Sequence, residues 1–299
     1  MTQRIITRRQ FLKTSASATI AGALLLDSRG SVFGFGEGDA RSRVVLVRDE
    51  NALDDLGGAR EPVIQDMLDR AVTALTGKSD ALAAWRTLVG PKDVVGIKSN
   101  AWGYLPTPEA VEKAIELRVI EAGVAEENIA ITDQEARTHP TFKRATALIN
   151  TRPLRTHAWS GVGSLIKNYI MFVERPSAYH GDSCADLATI WKLPHVAGKT
   201  RLNVLVMLTP LFHGVGPHHF SSEFVWGYRG LLVGFDPVAV DATGVRILVA
   251  KRREHFGEDR PLNPPAKHIQ LADTRHHLGT ADPEKIELIT LGWKEGILI

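Results

Sequence analysis

Short apolar runs alternate with helix-like segments along most of the chain. Runs rich in β-branched and other apolar residues predict strands at 43–49, 93–100, 128–134, 201–210, 230–236 and 285–292. Apolar residues at helical spacing predict helices at 62–77 and 107–123, and a third helix that begins after Asp236. This order predicts an α/β fold with a mostly parallel sheet flanked by helices. Ligands are then expected beyond the carboxyl ends of the strands.

The residues at the helix ends support these assignments. Thr107 is a suitable N-cap with Pro108 in the first helical position, and Gly123 is a typical stop signal. Asp236 precedes Pro237 in the same way. No G-x-G-x-x-G pattern follows a strand, so the sheet is predicted to lack the Rossmann dinucleotide fingerprint.

The first 40 residues differ from the rest of the chain. The stretch "ITRRQFLKTSASATIAGALLL" has paired arginines followed by an uncharged run at 14–26, which is too short for a comfortable membrane span. An amphipathic first helix is the alternative, but the run has no polar face. The stretch resembles a twin-arginine translocation signal, which implies the twin-arginine translocase as a partner and a periplasmic or other extracytoplasmic location. Membrane tethering would follow if the signal is not cleaved. We therefore predict a signal and linker at 1–40 and a single α/β domain at 41–299.

Composition limits the partners and cofactors of this domain. The first 40 residues hold five of the 36 basic and three of the 34 acidic side chains, which leaves 31 of each in a formally neutral body. Such a body is not expected to bind nucleic acid. It also has no apolar run long enough for a transmembrane span. The single cysteine, Cys184, is placed at the start of a predicted helix and is interpreted as a buried apolar residue. One cysteine cannot hold an iron–sulfur cluster, so none is expected.

The stretch "HAWSGVGSLIK" contains the first candidate site. His157 and Lys167 flank a loop of small residues that a ligand could approach closely, and His180 follows in "YHGD". Histidine suits proton transfer near neutral pH, and a desolvated lysine serves as a base, a nucleophile or an anion clamp. We predict His157 and Lys167 as catalytic and cofactor-binding residues, with Asn168 beside them holding an anionic oxygen.

Other candidates end predicted strands. Lys98 and Asn100 close the strand at 93–100 and are predicted to bind a cofactor, while the nearby Trp102 and Tyr104 either line a pocket or cover the core. In "FHGVGPHHF", His213 and His218 are candidate metal ligands together with His180, and a surface loop is the alternative. A buried Asp241 would require a partner, either an imidazole or a backbone turn.

Three segments in this order resemble the domain of unknown function 362 family. They are "DVVGIKSNAWGYLPTPEAVEKAIE", "GVGSLIKNYIMF" with "YHGD", and "GPHHF" followed by "GLLVGFDPVAVDATG". Many relatives carry a cysteine-rich, ferredoxin-like segment that this chain lacks. A more distant resemblance, from "EAGVAEENIAITDQEARTHP" and the later His–loop–Lys–His series, is to nickel-pincer lactate racemases. It implies cofactor contacts at His139, His157, Lys167 and His180, with one histidine binding nickel.

Two functions agree with these features. The first is an exported enzyme with a His/Lys site that binds a transition metal or a metal–organic cofactor. It would act on a small anionic substrate, as a racemase or isomerase does. The second is a non-catalytic periplasmic protein that binds a ligand or a partner.

Overall fold

One mixed sheet organises the part of the chain that the computed structural model describes, residues 41–214 and 219–299. The predicted signal at 1–40 and the candidate ligand His218 lie outside these residues. Eight strands form the sheet within the described part: β1 (Ser42–Arg48), β2 (Val95–Lys98), β3 (Ile129–Thr132), β4 (Ala147–His157), β5 (Gly161–Gly163), β6 (Thr200–Leu211), β7 (Gly230–Gly234) and β8 (Ile286–Gly292).

Most neighbouring strands of this sheet run parallel. The order is β3-β2-β4-β6-β7-β1-β8. The pairs β3–β2, β2–β4, β4–β6 and β1–β8 are parallel, and β7 is antiparallel to both β6 and β1. β5 folds back on the end of β4 as an antiparallel hairpin. The prediction of a mostly parallel α/β sheet flanked by helices is confirmed.

Helices cover the sheet with their apolar faces. They are α1 (Glu61–Thr76), α2 (Ala81–Trp85), α3 (Glu109–Glu121), α4 (Pro140–Arg144), α5 (Leu165–Asn168), α6 (Pro237–Phe256) and α7 (Lys267–Thr274), joined in places by short 3₁₀ turns. α1 packs on α3 and on β1, and α6 packs on β6, β7 and β1. Within the described residues, no helix combines the length and apolarity needed to cross a membrane.

The predicted strands are all present, with ends shifted by at most two residues, but β4 and β5 were not predicted. The small residues "GVG", taken from the sequence as a loop, form β5 instead. The predicted cap of α3 is also wrong. Pro108 is the N-cap, and the Thr107 hydroxyl accepts a hydrogen bond from the Asn100 backbone N–H at 3.2 Å. Thr107 therefore closes the loop from β2 to α3.

The hairpin of β4 and β5 depends on close contact with the proline-rich loop before α7. Gly161 has a left-handed φ of +73°, and a Cβ there would collide with the Pro264 carbonyl oxygen and lie 2.8 Å from the Ala266 N. Both the conformation and the lack of space therefore require glycine at this position.

We expect Gly161→Ala to lower the free energy of unfolding by about 3 kcal/mol, because backbone strain and a steric clash act together. Gly77 is a matched control, since it has a similar φ of +67° with no atom within 4 Å of its Cβ position. Gly77→Ala should cost only about 1 kcal/mol, which reflects the conformation alone. Urea denaturation of both variants measures the difference, and equal losses would contradict the steric argument.

Candidate functional site

A cavity of about 430 Å³ lies at the carboxyl ends of β2, β3 and β4. We call it the edge cavity; it is lined by Asn100, Ala101, Trp102, Gly103, Asp133, Gln134, Arg152, Arg155, His157, Lys167, Asn168, Ile170, Met171, Pro176 and His180. β4 continues for seven residues beyond Asn150, which pairs with Lys98, so the last residues of β4 form one wall of the cavity. The location agrees with the expectation that ligands bind beyond the carboxyl ends of parallel strands.

An irregularity in β4 brings two arginines into this cavity. Arg152 and Arg155 are three residues apart, and in a regular strand they would point to opposite faces. The pairing of β4 with β6 shifts register between Pro153 and Arg155. A β-bulge of this kind reorients the side chains that follow it. Both arginines consequently line the edge cavity, and both are nearly inaccessible to solvent.

An amide and an aromatic ring hold Arg155 in place. Its Nη1 donates to the Asn100 Oδ1 at 2.9 Å, and its guanidinium lies 4.2 Å from the centre of the Trp102 ring. Its Nε has no acceptor among the described residues. Burial, reinforced by the charge of Arg152, holds the pKa of Arg155 well below its ordinary value. The guanidinium is thus a desolvated cation with a free donor.

Arg152 lies against the hairpin of β4 and β5. Its Nη1 donates to the Ser164 carbonyl oxygen at 3.4 Å, and its Nε also lacks an acceptor in the described part of the chain. A Cβ on Gly163 would lie 2.9 Å from the Arg152 Nη2, so the glycine leaves room for the guanidinium. Burial lowers the pKa of Arg152 to about 10.

Lys98 ends β2 and is completely buried. Its Nζ donates to the Asp133 Oδ1 at 2.6 Å, to the Ser99 carbonyl at 2.7 Å and to the Asn168 Oδ1 at 3.3 Å. Burial lowers the pKa of Lys98 to about 8 despite the ion pair. For Asp133, burial acts to raise the pKa, but Lys98 and the Ala101 N–H outweigh it and the pKa is lowered. Asp133 therefore neutralises Lys98.

Two amide side chains that were predicted to bind a cofactor form hydrogen bonds to other residues of the protein. The Asn168 Nδ2 donates to the Lys98 carbonyl, to the Asn150 Oδ1 and to the Thr151 carbonyl at 2.9–3.1 Å. Asn168 therefore ties α5 to β2 and β4. Asn100 orients Arg155 through its Oδ1.

The turn that carries Lys167 is anchored from α6. Asp241, which is fully buried, accepts hydrogen bonds from the Ser164 hydroxyl at 2.7 Å and from the N–H groups of Leu165 and Ile166 at 2.9 Å. Burial raises the pKa of Asp241 to about 6, although these donors act in the opposite direction. Of the two partners predicted for this carboxylate, the structure shows the backbone turn.

Lys167 lines the edge cavity and lies beside a cysteine. Its Nζ is 3.6 Å from the Cys184 Sγ, and burial lowers the pKa of Lys167 to about 8. Cys184 is buried as predicted, but it does not begin a regular helix. Asp182, Ser183 and Cys184 have φ values of 50°, 55° and 63°, which form a left-handed turn. Burial raises the pKa of the Cys184 thiol, so Lys167 faces a neutral, weak acceptor.

His157 is a neutral imidazole in a defined tautomer. Its Nδ1 accepts a hydrogen bond from the Trp159 backbone N–H at 3.1 Å, which leaves the ring hydrogen on Nε2. Burial, together with the charge of Lys167, lowers the pKa of His157 far below its ordinary value. His180 also lines the cavity and stacks on the Trp159 ring, with centroids 4.1 Å apart.

Two other predicted ligands lie apart from this group. His139 is the N-cap of α4, where its Nδ1 accepts from the Thr141 N–H at 3.2 Å, and it does not line the cavity. His213 contacts Arg252 at 3.1 Å and packs against Phe224 and Phe256. Among the predicted ligands that the structure describes, His139 and His213 thus lie away from the histidines of the edge cavity.

The donor set does not fit a metal ion held by side chains alone. The edge cavity offers the imidazoles of His157 and His180, and the described residues contain no group of three or more His, Cys, Asp or Glu side chains placed to hold a metal.

Sequence reasoning missed four residues around the cavity: Arg152, Arg155, Asp133 and His268. The two arginines stand in "TRPLRTH", where a pair of cations before a candidate histidine was an available signal. His268 on α7 is completely buried with neither ring nitrogen bonded within the described residues, and burial together with Lys167 and Arg152 lowers its pKa to about 3. Nothing local in "PPAKH" indicates its burial.

Three aromatic side chains pack together beside the edge cavity. Tyr104, which is 62% exposed, stacks on Phe220 with centroids 4.8 Å apart, and both rings contact Trp102. Trp102 lines the cavity, so of the two roles considered for this residue the structure shows the pocket wall. Trp102 accordingly connects this aromatic cluster to the edge cavity.

Comparisons with known proteins support one of the three resemblances. The family model described as "Domain of unknown function (DUF362)" matches residues 95–246, just over half of the chain. The match runs from β2 into α6 and includes every residue that lines the edge cavity. No curated protein and no solved structure matches the chain, so the resemblance to lactate racemases stays a prediction. The chain belongs to the domain of unknown function 362 family.

Proposed function

We propose that this chain is an exported enzyme that binds a small organic anion in the edge cavity and moves a proton beside its anionic group, as racemases and isomerases do. One observation carries the proposal: a solvent-connected cavity is lined by buried cations that outnumber the carboxylates near them. Unpaired buried charge is costly, so a site of this kind is complete only with an anion bound. The twin-arginine-like residues at 1–40 support export.

The arginines are assigned to binding. Guanidinium groups match carboxylate oxygens in geometry, and the free Nε donors of Arg152 and Arg155 are available for them. Holding the carboxylate in this way would place the neighbouring carbon within the cavity.

Lys167 and His157 are assigned to the proton transfer. The lowered pKa of Lys167 brings its neutral, basic form closer to physiological pH. The amine would take a proton from the carbon next to the carboxylate, and the electron pair would move onto the carboxylate oxygens. The arginines and the Nε2–H of neutral His157 would stabilise this charge. Return of the proton from the Lys167 ammonium completes the reaction.

Exchange of carbon-bound hydrogen tests this proposal. The full-length, untagged protein is incubated in D₂O with lactate, malate or 2-hydroxybutyrate, and the signal of the proton beside the carboxylate is followed by NMR. We expect the signal to decay with wild-type protein for at least one of these probes. In Lys167→Arg, binding should persist because the charge is kept, while exchange should fall at least about 100-fold because a guanidinium does not act as a base.

Binding without exchange in the wild-type protein would contradict the enzymatic part of the proposal and favour a non-catalytic periplasmic binding protein. Exchange that continues at the wild-type rate in Lys167→Arg would contradict the assignment of Lys167 as the base.

A further inference from the structure

The buried positive and negative charges around the edge cavity do not balance. Four cations are buried there, with exposures of 0% for Lys98, 3% for Arg152, and 4% for both Arg155 and Lys167. Among the described residues, two carboxylates act electrostatically on these cations. Asp133 acts on Lys98 and on both arginines, and Asp241 acts on Arg152. Two positive charges therefore remain without a protein counter-charge.

The hydrogen-bond donors show the same excess. The Nε atoms of Arg152 and Arg155 are buried and have no acceptor within the described residues. Lys167 has a thiol as its hydrogen-bond partner, at 3.6 Å, and sulfur is a weak acceptor. Buried donors in native proteins are almost always satisfied by protein, water or ligand. Each of these three cations therefore keeps at least one buried donor without a strong acceptor among the described residues.

We propose that the edge cavity selects dianions over monoanions. This inference rests on the proposed function of the same site and specifies its substrate class. The ligand carries two negative charges, either on one centre, as in sulfate or hydrogen phosphate, or on two centres, as in a dicarboxylate. A dianion neutralises the two unbalanced cations, whereas a monoanion leaves one of them buried without a counter-charge.

Titration calorimetry on the full chain at pH 7 and constant ionic strength tests the proposal with two matched pairs. Sulfate is compared with methanesulfonate, and succinate is compared with its monoamide, succinamate. Each pair differs by one charge at nearly constant size. We expect the dianion to bind at least about tenfold more tightly in one pair, since one additional charged hydrogen bond contributes that much or more. The pair with the larger ratio distinguishes a single-centre dianion from a dicarboxylate.

Two variants that change the net charge equally provide the control. Arg155→Met removes one of the unbalanced cations, so the preference for the dianion should fall below about threefold. Arg246 is exposed on α6 and does not line the cavity, and Arg246→Met should keep the wild-type preference.

The outcomes are distinguishable. If monoanions and dianions bind the wild-type protein equally well, the dianion proposal is wrong and the proposed function stands. If a preference is equally reduced in both variants, long-range charge and not the cavity explains it, and the dianion proposal is again wrong. If no probe binds, both proposals fail. The wild-type comparison decides the question even if Arg155→Met does not fold.

Discussion

Lys167→Met is expected to bind the preferred anion, succinate or sulfate, at least about 30-fold more weakly than the wild-type protein. The substitution removes a buried cation whose hydrogen bond to the anion contributes about 2 kcal/mol to the free energy of binding. The fold should not be weakened. Burial lowers the pKa of Lys167 in the folded chain, so the folded state disfavours its charged form, and methionine removes that charge. Calorimetry and urea denaturation on the same samples measure both effects, and lost binding in a stable variant would separate binding from folding.

The affinity of the wild-type protein should also fall as the pH rises through about 8. Lys167 and Lys98 both have a pKa lowered to about 8 by burial, and deprotonation removes a cation that attracts the anion. The anion therefore binds most tightly below this pH. Above it, the affinity falls by up to about tenfold per pH unit for each lysine that loses its proton. In Lys167→Arg the charge at position 167 persists, so the affinity should fall less steeply from pH 7 to 9, with the titration of Lys98 remaining. An unchanged decline in that variant would instead implicate Lys98.

The fold was largely predictable because its strands carry local signals. β1, β6 and β7 are continuous apolar runs, typical of strands buried on both faces, and the helices between the strands have apolar residues at helical spacing. β4 is equally buried, but "ALINTRPLRTH" contains two arginines, a histidine and a proline. The two arginines contact Asn100, Ser164 and the edge cavity, all outside the strand, so periodicity could not identify it.

The site was predictable only in part, for a related reason. His157 and Lys167 were recognisable because a histidine and a lysine flank small residues within eleven positions. Arg155 was not, because the β-bulge that turns it toward Arg152 is visible only in the register with β6. His268 reaches the same region from a helix more than 100 residues after Lys167. Contacts of this range are set by tertiary packing and leave no local pattern.

The hydrogen bonds that hold the start of α5 on Asp241 lead to the second prediction, a large loss of stability in Asp241→Ala. Asp241→Ala leaves the Ser164 hydroxyl and the N–H groups of Leu165 and Ile166 without their buried acceptor. We expect the free energy of unfolding to fall by about 3 kcal/mol, since each unsatisfied buried donor costs about 1 kcal/mol or more. Because this turn carries Lys167, the affinity for the preferred dianion should also fall, by about tenfold or more.

Asp236→Ala is the matched control for this prediction. Asp236 is also buried at the start of α6, and it accepts hydrogen bonds from Ser42, Val238, Ala239 and Thr280. Its loss should cost similar stability, yet it holds no part of the α5 turn, so anion affinity should be unchanged. The direction of the change is informative, because removing a negative charge near the cavity would by electrostatics alone strengthen anion binding. Weaker binding in Asp241→Ala therefore indicates displacement of Lys167, and stronger binding would show that the network of Asn168 holds the turn without Asp241.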